Sequence, residues 1–366
     1  MHPNFQRLMN DAARLVRGGD LQAATAAIQA ALNGQPAGAA PADREPAPHD
    51  MVIDVHAREV DAPLLQDQRV TPGEPQHAEP SAPGAGTFAA GRFSDGRMHR
   101  DYKLYIPPLA GQRPLPLLVM LHGCTQDPDD FAAGTRMNEA ARAQGCFVLY
   151  PAQSQQANPQ RCWNWFKHSH QQRGRGEPAL LAAMTREVIA RHGIDPARVY
   201  VAGLSAGGAM AAILGETYPD VYAAVGVHSG LAAGAARDLP SALAAMRSGA
   251  SAATSRPGPP TIVFHGDADA TVHPANGEHV VKGHVGHAEA QAEVVRQRVA
   301  GGRGYTRRVH RSPQGAVLAE HWVVHGSGHA WSGGSRDGSY TDPGGPDAST
   351  QMLRFFLQHA RHSQAS

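Results

Sequence analysis

Several short stretches of this chain carry unbroken apolar cores, among them "LPLLVMLHG", "CFVLYP", "ARVYVAGLS", "AAVGVHSG", "PTIVFHG" and "EHWVVHG". A strand with one wetted face alternates polar and apolar residues, so an unbroken run of this length belongs to a strand covered on both sides. "TRMNEAARAQG", "EPALLAAMTREVIARHG" and "AGGAMAAILGETYP" fall between these runs with helical spacing, the second stopping at His192-Gly193. "HRDYKLYIP" reads as a further strand. Strands alternating with helices predict an α/β fold, a mostly parallel sheet with helices on both faces, over residues 93–362. In such sheets functional groups gather at the carboxyl ends of the strands.

The region before it has a different texture. Phe5 to Val16 and Leu21 to Leu32 have apolar residues at helical spacing around "RGGD", with Asp20 placed to cap the second segment. Residues 1–33 therefore read as a short helical hairpin, and the Pro-, Ala- and Gly-rich residues 34–92 as a linker without periodicity. With 33 basic against 32 acidic side chains, the net charge of +1 supplies no field that would draw nucleic acid or acidic lipid. No apolar run approaches the roughly 18 residues of a membrane span. The N-terminus lacks the basic-then-apolar pattern of an export signal.

Within the α/β region, Gly203-Leu204-Ser205-Ala206-Gly207 is a G-x-S-x-G between a strand and a helix, the context that motif requires of a nucleophile. A nucleophilic serine needs a base, an acid to orient the base, and donors for the oxyanion. In this topology the order is serine, acid, histidine. "IVFHGDADATVHP" offers Asp267 and Asp269 on one loop past a strand. Asp269 is preferred, because the loop there has cleared the strand end, and Asp267 is expected to brace it. Of 21 histidines, His329 in "VVHGSGHAWSGG" lies on a small-residue loop after a strand and is the expected base. His325 ends that strand and is expected to be structural. His273, His279, His284 and His287 read as a solvated excursion. The oxyanion donors are expected to be the amides of Cys124, in "MLHGCTQ", and of Ala206, with His122-Gly123 shaping the first loop. Neither His265-x-Asp267-x-Asp269 nor His325 and His329 has the spacing of a catalytic metal motif, and no metal or other cofactor is expected.

"LHGCTQDPDDFAAGTRMN", "YPAQSQQANPQRCWNWF", "GLSAGGAMAAIL", "HGDADATVHPAN" and "GSGHAWSGGSRDGSYTDPGGPDAS" resemble, in order, the polyhydroxybutyrate (PHB) depolymerase family of esterases. These are α/β-hydrolases related to feruloyl and acetylxylan esterases. The resemblance implies an α/β-hydrolase fold and ester hydrolysis through Ser205, Asp269 and His329. It implies poly- or oligo-3-hydroxyalkanoate esters as substrates, with feruloyl or acetyl esters of carbohydrates as the alternative. A reading from another class is a non-catalytic module that docks on a granule or partner through the hairpin. Trp331, two residues after the expected base, is expected to line the cleft. Trp163 and Trp165 alternate along an extended segment, so at most one of them should face the site.

Of three cysteines, Cys124 and Cys162 both fall at the strand-end rim, whereas Cys146 opens a buried apolar strand. A Cys124–Cys162 disulfide with Cys146 free is therefore expected. The family resemblance points outside the cell and the N-terminal pattern inside; the bridge would favour an oxidising location.

Overall fold

The computed structural model describes residues 84, 86–96, 99–250, 258–285 and 292–361. The expected hairpin over 1–33 and most of the expected linker lie outside them. In chain order the described elements are β1 (Thr87–Ser94), β2 (His99–Ile106), β3 (Leu117–Leu121), α1 (Pro128–Thr135), α2 (Met137–Gln144), β4 (Phe147–Pro151), α3 (Gly176–His192), β5 (Val199–Leu204), α4 (Ala206–Thr217) and β6 (Ala224–His228). They continue as α5 (Leu239–Ser248), β7 (Thr261–Gly266), α6 (Ala275–Val285), β8 (Ala292–Arg298), β9 (Gly304–Arg311), β10 (Val317–Val324), the short β11 (Trp331–Ser332) and β12 (Thr341–Asp342), and α7 (Ala348–Phe356).

Ten strands form one sheet in the order β1-β2-β4-β3-β5-β6-β7-β10-β9-β8. The six central strands, β4 to β10 in that order, pair in parallel, and antiparallel pairs extend the sheet at both edges. The pleat explains why the central runs are apolar throughout. Leu117, Val119 and Leu121 of β3 enter the core under α3, α4 and α5, while Leu118 and Met120 enter the opposite core under α1, α2 and α7. Residues of both phases are buried, so no position along such a strand can be polar without a partner.

Local chemistry sets the ends of the helices. Asp127 caps α1 by accepting from the amides of Asp129 and Asp130, with Pro128 at the first helical position. Gly145 and Gly193, at φ 64° and 60°, end α2 and α3 in the left-handed region.

Two expectations are corrected, and one edge hairpin appears that no sequence feature announced. Residues 87–92, read as linker, belong to β1, which pairs along its whole length with β2. Its alternating, half-exposed side chains produce no apolar run. The edge hairpin of β8 and β9 was not foreseen for the same reason, since β8 is exposed along nearly its whole length. The histidine-rich stretch is not a solvated excursion: His279 and His284 lie on α6, where Val280 and Val281 anchor the helix in the core, and both rings bury Nδ1. His273 is exposed just before α6, and His287 falls outside the described residues.

Candidate active site

Ser205 sits between β5 and α4 with φ 57° and ψ −118°, a conformation that side chains rarely adopt. The turn is held by the Ser205 amide, which donates to the His228 carbonyl on β6 at 2.8 Å. Its tightness accounts for both flanking glycines. A Cβ on Gly207 would stand 2.0 Å from the Leu121 carbonyl oxygen, and one on Gly203 would stand 2.4 Å from the Gly207 backbone. Ser205 is half-buried and precedes the first turn of α4, whose amides have no acceptor within the helix.

Beyond β7, Asp269 turns back into the fold with its side chain fully enclosed. One of its oxygens accepts from the amides of Thr271 and Val272, each at 2.9 Å. The other takes Nδ1–H of His329 at 2.7 Å and lies 3.4 Å from Nε2 of His265. Burial pushes this carboxyl up, but the hydrogen bonds from His265 and His329 dominate and hold it far below the usual carboxylate range. With Nδ1 bound to a carboxylate, the free Nε2 of a neutral His329 is a proton acceptor. The base loop reaches the acid loop because β7 ends in glycine: a Cβ on Gly266 would meet the Ser327 carbonyl oxygen at 2.2 Å.

Asp267 engages a different histidine. It accepts from His325 at 2.8 Å and from the Gly326 amide at 2.6 Å, and His325 in turn contacts the Thr306 hydroxyl at 2.9 Å. These bonds tie the acid loop to the base loop at the surface.

Of the two expected oxyanion donors, Ala206 opens α4 directly after Ser205, and Cys124 lies on the loop after β3. Cys124 is disulfide-bonded to Cys162, and Cys146 is free and buried. Among the described residues the Cys124 amide has no acceptor. Its neighbours are fully engaged. The Gly123 amide donates to Gln126 at 2.9 Å, and the Thr125 amide donates to the Gln160 carbonyl at 2.7 Å. His122 is buried; the Gln153 amide donates to its Nε2 at 3.1 Å, so the proton is on Nδ1, which donates to the Gly123 carbonyl at 2.7 Å. Burial lowers the pKa of this ring to about 4, keeping it neutral.

The tryptophans do not line the cleft as expected. Trp331 is wholly buried, donating to Ser349 at 3.1 Å and stacked on His228 with ring centres 4.9 Å apart. Trp163 and Trp165 both enter the core under α3 and α4, because their segment is a loop that turns at Trp165 rather than an extended strand. Trp163 donates to the His122 carbonyl at 3.1 Å. The sequence motifs leave out His228, and His265 enters them only through a metal spacing it does not complete, although each falls at or one residue before the end of an otherwise apolar strand, as His122 and His325 just follow one. His228 accepts the Ser332 amide at 2.9 Å and so anchors the chain just beyond His329.

Beside the loop after β3 opens a cavity of about 740 Å³ lined by His122, Asp127, Gln153, Gln156, Arg161 and Asp101 among others. Arg161 pairs with Asp127 across it at 3.5 Å. Among the described residues no three metal-binding side chains converge, and no helix is long and apolar enough to cross a membrane.

Residues 100–287 match the family described as Esterase PHB depolymerase. The chain is 32% identical over 244 residues to poly(3-hydroxyalkanoate) depolymerase C of Paucimonas lemoignei, covering 63% of this chain and 56% of that protein. It is 34% identical over 141 residues to feruloyl esterase B of Neurospora crassa, covering 37% of this chain and 47% of that protein. The chain thus spans about half the length of these curated relatives. Among solved structures, the acetyl xylan esterase from Aspergillus awamori has a similar fold, with a TM-score of 0.53 at 21% identity over 66% of this chain and 94% of that one. The likeness is one of fold: a mostly parallel sheet with helices on both faces.

Proposed function

The chain belongs to the PHB depolymerase family of esterases, and from that premise we propose that it is a serine carboxylester hydrolase acting on poly- or oligo-3-hydroxyalkanoate esters. Ser205 Oγ attacks the ester carbonyl carbon while His329 Nε2 takes its proton. Asp269 holds the imidazolium through Nδ1. The amides of Cys124 and Ala206 receive the oxyanion. Collapse of the tetrahedral intermediate breaks the bond to the leaving alkoxide, which takes the proton from His329 and departs as the alcohol. Water, deprotonated by the same histidine, then releases the acid from Ser205. The observation that carries this reading is the enclosed 2.7 Å Asp269–His329 pair, on a loop packed against the end of β7 two strands from the strained Ser205.

A second reading, esters of hydroxyl-rich carbohydrates, is favoured by the cavity beside the Cys124 loop. Arg161 and Asp127 pair within it, and its charged and amide side chains offer donors and acceptors to a polyol, not an apolar wall to a methyl-bearing polyester. A fluorophosphonate probe tests the common core of both readings: it should label the wild type and fail to label Ser205→Ala. An unlabelled wild type would point instead to a binding module. Turnover on hydroxybutyrate oligomers, amorphous polymer, methyl ferulate and acetylated xylan then separates the substrates.

A further inference from the structure

Glu177, in the first turn of α3, is a buried carboxylate that has no Lys or Arg partner among the described residues and stands in an otherwise apolar helix face. Its oxygens are surrounded by donors from the stretches between β4 and α3. Oε1 accepts from Gln153 Nε2 at 2.6 Å and from Asn164 Nδ2 at 2.7 Å; Oε2 accepts from the Asn164 amide at 2.7 Å and lies 3.5 Å from Nδ1 of His170. Burial pushes the carboxyl up, yet these donors hold it below the usual range, so it stays ionised.

The residues it gathers are among those that hold the loop after β3, beside the Gly123–Gln126 and Thr125–Gln160 bonds. The Gln153 backbone amide fixes the His122 ring, and its side chain also donates to the Cys162 carbonyl at 3.0 Å. Trp163, next to Asn164, donates to the His122 carbonyl. Cys162, two residues before Asn164, is bonded to Cys124. These latter anchors all pass through residues 153 or 162–164, and Glu177 ties those two stretches together. A buried anion without a cation is expensive to keep. Here it supplies four acceptor directions at one point, which no neutral side chain can.

We infer that Glu177 is a positioning residue for oxyanion stabilisation: through Gln153 and Asn164 it holds the Cys124 amide in line with the reacting carbonyl. The inference rests on the reading of Cys124 as an oxyanion donor. An oxyanion donor contributes about 10²–10³ to kcat when fully removed, and displacing it acts on the transition state more than on the bound ester.

The test uses the full chain with a soluble p-nitrophenyl ester and a trifluoromethyl ketone, which forms a tetrahedral adduct whose stability reports the oxyanion donors. Glu177→Gln keeps the shape but sets an amide N–H against donors already aimed at that atom. We expect kcat to fall by about 10- to 100-fold with KM within twofold, and the ketone inhibition constant to rise by a similar factor. The Cys124–Cys162 bond should persist by mass spectrometry. Should Glu177→Gln not fold, Gln153→Leu removes the side-chain bonds to Glu177 and to the Cys162 carbonyl and keeps the backbone bond to His122; it should move kcat and ketone affinity together by a smaller factor. Loss confined to KM or to stability, with ketone affinity unchanged, overturns the inference. A wild type that turns over neither ester nor ketone overturns the esterase reading and this inference with it, whereas a normal wild type beside a fully active Glu177→Gln overturns this inference alone.

Discussion

At the scale of single residues, the two carboxylates of the acid loop differ in what they hold. Asp269 is enclosed and bonded to His329, while Asp267 is bonded to the surface histidine His325. Ser205→Ala should abolish ester turnover without altering the thermal midpoint, since the bonds that hold the turn are made by the Ser205 backbone amide and carbonyl, which alanine keeps. Asp269→Asn should lower kcat by about 10³- to 10⁴-fold, because an amide cannot hold the same histidine tautomer. Asp267→Asn should cost less than about tenfold by the same steady-state assay; a crippled Asp267 variant would reverse the assignment of the acid. Gly207→Ala is the sharpest steric test. Its Cβ would fall 2.0 Å from one backbone carbonyl oxygen and 2.6 Å from the next, neither of which can move without shifting β3. It should fail to give soluble, probe-reactive protein, and normal labelling of that variant would contradict the tight turn.

At the scale of elements, the loop after β3 is a short connection that would be mobile by itself, and a covalent bond fixes it to the segment before α3. The Cys124–Cys162 bond joins residues 38 apart. In the chain-entropy picture such a closure contributes about 2–4 kcal/mol to stability. Its removal by Cys124→Ser with Cys162→Ser should lower the denaturation midpoint accordingly and reduce kcat more than it raises KM, as measured by urea unfolding and steady-state kinetics on the same preparation. A variant of full stability and full kcat would show that hydrogen bonds alone hold the loop.

For the molecule as a whole, buried histidines set an acid limit on stability. Burial pushes His122 and His284 down to about 4, and His228 and His321 down to about 3. In the unfolded chain each takes up a proton near its ordinary value of about 6.5. Between these values the unfolded state binds more protons than the folded one, so stability rises with pH across the window and is lost as pH falls from about 6.5 toward 3–4. Each histidine contributes on the order of 3 kcal/mol to that loss at the acid end. The depressed Asp269 adds to it below the ordinary carboxylate value. Thermal unfolding followed at pH 7, 6, 5 and 4 should show a midpoint steady near neutrality and falling steeply below pH 6. Equal midpoints at pH 7 and pH 5 would contradict the burial of these rings.

What the sequence determined by itself is what local constraint can encode. Unbroken apolar runs can only be strands covered on both faces, so the central sheet was legible, as was the serine turn, whose glycines answer to backbone atoms a few residues away. The choice of Asp269 over Asp267, and the disulfide of Cys124 with Cys162, could be framed from position along the strands, but which carboxylate meets which histidine depended on loops converging across β7 and β10. The edge strands β1, β8 and β9 left no apolar signature, because a strand exposed on one or both faces looks like polar loop until its partner is known. The tryptophans turned inward because a loop, not a strand, carries them. The role inferred for Glu177 is the clearest case: a glutamate at the start of a helix reads as a solvated charge. Only the packing of the 153 and 162–164 stretches over α3 encloses it and makes its hydrogen bonds compulsory.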